Sequence, residues 1–417
     1  MTDSTRSSGA RRTLALLLSL NLLCYIDRYI LAAVEPQIRE SFFANDPNAL
    51  AKTGSLATAF LFSYMILAPI FGFLADRMSR WVIIAFGVAV WSLATAGSGW
   101  AATFGVLLLA RILVGTGEAA YGPASATIIS DMYPIERRGQ VLAWFFAAIP
   151  VGSALGYVFG GMIGAAHGWR APFIWAAIPG MILAVMCLFF KDPRAGRAEK
   201  PKHASFKDYL GLLKIPSYVL NVAAQTAMTF AIGGMSFWAP AYFSGRSGAP
   251  DLGQVNLIFG GITAVAGLLS TLFGGWLGDR LARRLPGAYF WVSSGGMLLA
   301  FPCTIAMLFV PFPWAWVLCF FAVSFLFMNI GPANTAIANV TDPAVRSTAF
   351  ALNIFVIHAL GDAISPPLIG AVADRSSLTA GFFVVSLAMF VAGVIWLFAA
   401  RYLGRDTLRV REDFASA

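Results

Sequence analysis

The chain has 417 residues, of which 59% are hydrophobic and 12% charged, with a mean hydropathy of +0.74. Soluble domains carry about a quarter of their residues as Asp, Glu, Lys and Arg, so this composition excludes a soluble globular protein. The net charge of +9 invites a nucleic-acid reading, which the placement of the basic residues excludes.

Apolar stretches long enough to cross a bilayer, about 20 residues each, predict twelve helices near 12–39, 50–77, 79–100, 103–131, 136–165, 169–191, 215–246, 252–282, 286–309, 313–341, 344–373 and 378–402. The uncharged run 285–341 divides at Val310-Pro311-Phe312-Pro313, because two prolines cannot both continue a helix. Arg6, Arg11 and Arg12 followed by an apolar stretch resemble a signal peptide. No small-residue cleavage site follows, and the stretch runs straight into Tyr25-Ile26-Asp27-Arg28, so an uncleaved first helix is expected. Of the 29 Lys and Arg, five (Arg39, Lys52, Arg170, Arg246, Arg375) fall in the odd loops and two (Arg28, Arg111) inside spans. The other 22 sit in the tails and even loops. That bias places both termini in the cytoplasm and makes the positive charge a topology signal.

In the first span, Asp27 and Arg28 lie about fifteen residues in, roughly 22 Å along the helix. Adjacent helical residues point about 100° apart, so the two cannot aim at one spot. A structural ion pair is the plain reading. The functional one is a protonatable carboxylate beside an anion-binding guanidinium. The fourth span, Arg111-Ile-Leu-Val-Gly115-Thr-Gly117-Glu118-Ala-Ala-Tyr121-Gly122-Pro123, sets a cation and an acid seven residues apart. Two turns bring them to nearly one face, about 10 Å apart. A charge at that depth costs at least a few kcal/mol unless paired or hydrated. Small residues keep this helix slim, leaving the two long side chains as its main projections. Glycines 152, 156, 160 and 161 in the fifth span read as close helix packing.

The chain is doubled. Gly72-Phe-Leu-Ala-Asp76-Arg77-Met-Ser-Arg80 returns 203 residues later as Gly275-Trp-Leu-Gly-Asp279-Arg280-Leu-Ala-Arg283. Duplication of a six-helix unit, common among transporters, predicts an N-terminal bundle (1–191), a linker (192–214) with one possible amphipathic helix, and a C-terminal bundle (215–417). The C-terminal half has little intramembrane charge besides His358 and Asp362, four residues apart and so on one helical face. They read either as a proton relay or as a satisfied polar pair beside Pro366-Pro367. Phe230, Phe237 and Trp238 are available to an acyl tail, as aromatic residues are in any membrane protein. Cys24, Cys187, Cys303 and Cys319 lack metal-ligand spacing and read as packing residues.

The twin Gly-x-x-x-Asp-Arg-x-x-Arg loops resemble the signature of the major facilitator superfamily, across the whole chain. The resemblance implies an all-α polytopic membrane protein of twelve transmembrane helices in two pseudo-symmetric six-helix bundles, working by alternating access. It makes Asp76, Arg77, Arg80, Asp279, Arg280 and Arg283 gate residues. Asp76 would meet the start of the eleventh helix after Pro343, and Asp279 that of the fifth after Pro134, each a positive helix end. The antiporter Gly-Pro of the fifth helix is absent, Gly156-Tyr157 standing there. Asn21-Leu-Leu-Cys24-Tyr25-Ile-Asp27-Arg28-Tyr29, Gly115-Thr-Gly117-Glu118-Ala and His358-Ala-Leu-Gly-Asp362-Ala-Ile-Ser-Pro366, with Arg111, resemble the Spinster family within that superfamily. Cys24 departs from its usual Asn. The resemblance implies movement of lysolipids of the lysophospholipid or sphingosine-phosphate type, with protons as coupling ion and no other cofactor. Together with the short loops it points to a monomeric bacterial member in the cytoplasmic (inner) membrane, in contact with membrane lipids and not with nucleic acid.

On this reading Arg28 and Arg111, with Tyr25, Tyr121, Phe230, Phe237 and Trp238, bind substrate, and Asp27, Glu118, His358 and Asp362 handle protons. Between the residues of the fourth span, Arg111 is assigned to substrate and Glu118 to the proton. The alternatives are a proton-coupled drug or organic-anion porter and, more remotely, a polytopic lipid-modifying enzyme. The enzyme would need a nucleophile or metal cluster near the interface, which the sequence does not offer.

Overall fold

The computed structural model describes residues 3–133, 135–192, 211–342 and 345–415. Helices account for nearly all of them: α1 (Asp3–Phe43), α2 (Ala49–Arg77), α3 (Arg80–Gly99), α4 (Phe104–Met132), α5 (Ile135–His167), α6 (Arg170–Cys187), α7 (Pro216–Ser244), α8 (Leu252–Ala282), α9 (Ala288–Met307), α10 (Trp314–Phe327), α11 (Ile330–Val340), α12 (Arg346–Ile357), one π-helical turn (His358–Asp362), α13 (Ser365–Arg375) and α14 (Leu378–Ala415). The linker predicted at 192–214 falls mostly at 193–210, outside the described residues.

Among the described residues eleven helical stretches are long and apolar enough to cross a membrane. Two of them are composite. Trp314–Val340 joins α10 to α11, and Thr348–Arg375 joins α12, the π turn and α13. The twelfth predicted span corresponds to α7, 29 residues long, which the apolarity criterion passes over. Its buried face carries Asn221, Gln225 and Thr229, each lowering the mean hydropathy without leaving the interior. The chain is a multi-pass membrane protein.

The backbone breaks have local causes. Pro332 has no N–H for the Met328 carbonyl, and α10 ends at Phe327. The side chain of Asn329 turns back to the Phe325 and Leu326 carbonyls at 3.4 and 2.8 Å. In the π turn the Ala363 N–H reaches the His358 carbonyl five residues back at 3.1 Å. Pro366 and Pro367 follow at the start of α13 and supply no donors to the turn before them. A single π turn of this kind is frequent at functional sites. The last helix outruns its predicted span by more than ten residues, because its polar extension remains packed. Leu403 is 1% exposed, and the Asp406 carboxylate accepts the Ser217 N–H at 3.0 Å, capping the first turn of α7.

The residues group into two compact units, Met1–Glu199 with Ala239–Gly261, and Lys200–Trp238 with Ile262–Ala417. In the first, α1 packs along α5, and α4 lies between α2 and α3, with α6 against α3. Small residues allow this. A Cβ on Gly115 would strike the Phe60 carbonyl and the Ser63 hydroxyl, and one on Gly117 would strike the Gly87 carbonyl. Ser63 donates to the Ile112 carbonyl at 2.8 Å, fixing α2 to α4 at that level. Where α3 begins, Arg80 is 1% exposed and pairs with Asp131 at 2.6 Å and Asp192 at 2.5 Å. Asp192 also accepts the Arg80 backbone N–H at 2.9 Å. One guanidinium thus joins the loop before α3, the end of α4 and the residues after α6. In the second unit α9 packs against α14, α10 and α11, and α13 against α14.

Two substitutions test this packing by intrinsic-fluorescence thermal unfolding of the detergent-solubilised protein. Gly115→Val should destabilise by about 1–3 kcal/mol through overpacking. Gly261→Ala, whose new Cβ would meet nothing within 4 Å, should leave the midpoint unchanged or raise it slightly, because alanine suits a helix interior better than glycine. Arg80→Ala strands two carboxylates beside a buried site and should cost about 3–5 kcal/mol. Equal midpoints for wild type and Arg80→Ala would refute the structural weight given to that cluster.

Candidate functional site

Helix α1 presents Asp27 and Arg28 to α4 in two diverging directions, and α4 answers with Arg111 and Glu118 two turns apart. The pairs are crossed. Arg28 reaches Glu118 with both Nη2 and Nε, at 2.6 and 2.8 Å to the same Oε2. Arg111 faces Asp27, Nη1 to Oδ2 at 3.7 Å, and donates from Nη2 to the Ser98 hydroxyl of α3 at 2.8 Å. The two pairs differ in tightness and exposure. Glu118 is fully buried, yet the side chain of Arg28 is 21% exposed. Arg111 and Asp27 are 2% and 1% exposed. Charge-assisted hydrogen bonds hold the first pair. Beyond Arg111, neither carboxylate oxygen of Asp27 has a hydrogen-bond partner among the described residues, although Thr95 stands beside it.

Aromatic rings complete the site. The Arg28 guanidinium carbon lies 5.0 Å from the Tyr25 ring centre, 4.8 Å from that of Phe60 and 5.4 Å from that of Tyr64. Arg111 lies 5.1 Å from Phe173 of α6. The sequence reading missed Phe60, Tyr64, Ser98 and Phe173. Only Gly115, which lets α2 approach α4, hints at the first two. Cys24, where the resemblance predicts Asn, is buried and adjoins Glu118.

The other residues assigned to substrate are placed differently from one another. Tyr121 is 3% exposed and its hydroxyl donates to the Leu17 carbonyl at 2.7 Å, so it pins α4 to α1. Trp238 is fully buried and donates from Nε1 to the Pro366 carbonyl at 2.9 Å. Phe237 packs edge-on against it at 4.8 Å. These three belong to the packed interior because each polar atom they carry is used internally. Tyr25 and Phe230 stay half-buried.

In the second unit His358 and Asp362 meet as their spacing predicts, Nδ1 lying 3.0 Å from both carboxylate oxygens, with side chains 28% and 20% exposed. The π turn that carries them is pressed onto α7: a Cβ on Gly233 would come within 2.6 Å of the Asp362 Cβ, and one on Gly361 within 3.0 Å of the Thr226 carbonyl. Among the signature-loop residues, Arg80 is locked as described above. Arg77 is exposed over the Phe73 ring at 3.4 Å, Arg280 over Trp276 at 5.5 Å, and Arg283 is exposed. Asp279 is exposed and accepts from the Tyr289 hydroxyl at 2.9 Å. The side chain of Asp76 and the residues Pro134 and Pro343 lie outside the described residues. No group of His, Cys, Asp and Glu suited to a metal ion occurs among the described residues.

Comparison with known proteins identifies the family. The family model described as Major Facilitator Superfamily matches residues 17–366. Protein spinster homolog 3 of Danio rerio is 35% identical over 90% of this chain and 80% of its own length. Protein spinster homolog 1 of Homo sapiens is 35% identical over 87% and 72%. Among solved structures, a bacterial homologue of the human lysosomal transporter Spinster, inward-facing and unoccupied, superposes with a TM-score of 0.80 at 20% identity, covering 99% of both chains. A D-xylose–proton symporter gives 0.74 at 16% identity over 92% of this chain and 96% of its own. The fold is that of transporters, and the chain belongs to the Spinster family of the major facilitator superfamily.

Proposed function

We propose that this membrane transporter moves lysolipid-like amphiphiles, of the lysophospholipid or sphingosine-phosphate type, by proton-coupled alternating access. In this reading it is a monomer in a bacterial inner membrane with both termini cytoplasmic. The observation that carries the proposal is the contrast between the two crossed pairs. Arg28 is bonded tightly to Glu118 but reachable, so an incoming phosphate competes for an accessible guanidinium. Arg111 is enclosed and bonded to Ser98, which favours a fixed role for it opposite Asp27. The roles assigned from sequence to Arg111 and Glu118 therefore exchange, while Arg28 stays with the headgroup and Asp27 with the proton: Arg28 with Glu118 serves the headgroup, and Asp27 with Arg111 serves the proton.

The physical reason lies in what each carboxylate would lose on protonation. Glu118 would give up two short bonds to Arg28, whereas Asp27 faces its nearer cation at 3.7 Å and has only the Thr95 hydroxyl beside it. A buried charge held this loosely is the less costly one to neutralise. His358 and Asp362 form a second, partly exposed acid–base pair that suits proton relay within its own unit. Arg80, Asp76 and Asp279 keep a gating role at the signature loops, and Phe230 remains available to an acyl chain.

Reconstituted into liposomes, the protein should carry labelled lysophospholipid at a rate that changes with an imposed pH gradient. Asp27→Asn should remove the gradient dependence while leaving lysolipid binding in place. Unchanged pH dependence in Asp27→Asn, or its loss in Glu118→Gln alone, would sink the proton assignment. Arg28→Ala should reduce flux by about tenfold or more, the loss of one charge-assisted contact. A substrate panel in which drugs or small carboxylates move and lysolipids do not would replace the lipid reading by that of a drug or organic-anion porter.

A further inference from the structure

We infer that Tyr25, Phe60, Tyr64 and Glu118 form a recognition site for an alkylammonium group, occupied by the protein's own Arg28 until a zwitterionic headgroup takes its place. This rests on the amphiphile-transport reading and narrows it to headgroups that carry both a phosphate and an ammonium. Three rings within 5.4 Å of one cation, with a carboxylate behind it, are the elements by which proteins recognise quaternary ammonium ligands. By contrast Arg77, Arg111 and Arg280 each lie over a single ring.

The Tyr64 hydroxyl bonds to Arg28, but the helices that carry the rings are held by packing of their own. Gly115 admits the Phe60 backbone, and Ser63 bonds to Ile112. Gly122 lies under Tyr64, where a Cβ would come within 3.0 Å of the hydroxyl. The site therefore persists when the guanidinium leaves, and the 21% exposure of Arg28 gives it somewhere to go. Glu118 is fully buried and cannot be left without a cation except at a cost of several kcal/mol. Arg111 is no substitute, being enclosed between Asp27, Ser98 and Phe173.

A phosphate alone would draw Arg28 away and strand Glu118. An ammonium alone would pair with Glu118 and strand Arg28. A headgroup with both satisfies the two charges together: Arg28 exchanges a carboxylate for the phosphate, and Glu118 exchanges a guanidinium for the ammonium. Each of the two protein charges keeps an opposite partner, and specificity arises from the penalty on either half-ligand.

The test uses the full-length protein in maltoside micelles and three probes of equal chain length: dodecylphosphocholine, dodecyl phosphate and dodecyltrimethylammonium, titrated by intrinsic fluorescence. Dodecylphosphocholine should bind about tenfold or more tightly than either partial headgroup. Tyr64→Leu should erase most of its advantage over dodecyl phosphate, and Tyr64→Phe, which keeps the ring, should retain it. Tyr25→Leu is a second, independent variant should Tyr64→Leu fail to fold. Equal binding of dodecylphosphocholine and dodecyl phosphate by the wild type would overturn the ammonium site while leaving amphiphile transport standing. So would an advantage that survives both leucine variants. Binding of none of the three would overturn the amphiphile reading itself, and this inference with it.

Discussion

A carboxylate with no exposure at membrane depth must have a cation, and the bond from Arg28 to Glu118 is the constraint around which the first unit is arranged. It fixes the rotation of α1 against α4. Because Asp27 is the next residue, the same rotation turns that side chain to the other flank of α4, where Arg111 stands. Gly115, one turn before Glu118, brings α2 close enough for Phe60 and Tyr64 to close over the guanidinium. Gly117 brings α3 in on the other side, and with α3 comes Ser98 for Arg111. The glycines around the two charges thus position the neighbours that the charges require.

The fold was largely legible, because its signals are additive along the chain. Twenty apolar residues make a span whatever their order, and a doubled loop announces a duplicated bundle. The exceptions are local. The polar end of α14 carries a helix past its apolar part. The π turn at 358–362 depends on Gly361 and Gly233 fitting against each other's helices, which no spacing within one segment encodes. The charged members of the site were legible for an energetic reason: each is too costly at that depth to be accidental. Their pairing was not. Adjacent residues on α1 can each reach either end of α4, and nothing in the sequence ranks a 2.6 Å contact above a 3.7 Å one. Phe60 and Tyr64 were invisible among 35 Phe and 11 Tyr, as were the acids that hold Arg80, 51 and 112 residues away.

The second unit solves burial by other means. Its polar seam is neutral: Asn221 donates to the Ala333 carbonyl at 2.9 Å and accepts from Trp396 Nε1 at 2.8 Å, and Gln225 reaches Asn353 at 3.4 Å. Each contact joins α7 to a helix far along the chain, and none requires a charge to be buried. That is why Trp238 belongs with the structural aromatics despite its place on a helix expected to face substrate. Its indole nitrogen serves the Pro366 carbonyl, on the α13 side of the π turn. His358 and Asp362 are a partly exposed ionisable pair of this half, on a turn pressed against the same helix α7.

Helix α5 shows how one run of small residues serves two neighbours. Glycines 152, 156, 160 and 164 recur every fourth residue and meet α1 at Tyr25, Tyr29, Ala33 and Val34, their added Cβ atoms falling within 2.8 Å of those side chains. Such close approach along more than three turns fixes α1 lengthwise, and with it the depth of Asp27 and Arg28. Gly161 lies on the adjoining face and receives Asn256 of α8, which donates to the Ala33 carbonyl of α1 at 3.0 Å. Tyr157, one turn earlier, lies between Tyr29 and Phe259, ring centres 5.0 Å from each. The first contact is long, apolar and backbone-close. The second runs as far, from Ala154 to Ala165: a Cβ on Gly260 would come within 2.9 Å of the Ala154 carbonyl and one on Gly253 within 3.6 Å of Ala165, and it adds the amide bond of Asn256. A helix gripped along its length by both neighbours sets the depth of the charged residues of α1 through the first contact and ties the opening turns of α8 to the same level through the second, so α1, α5 and the start of α8 hold one another in register.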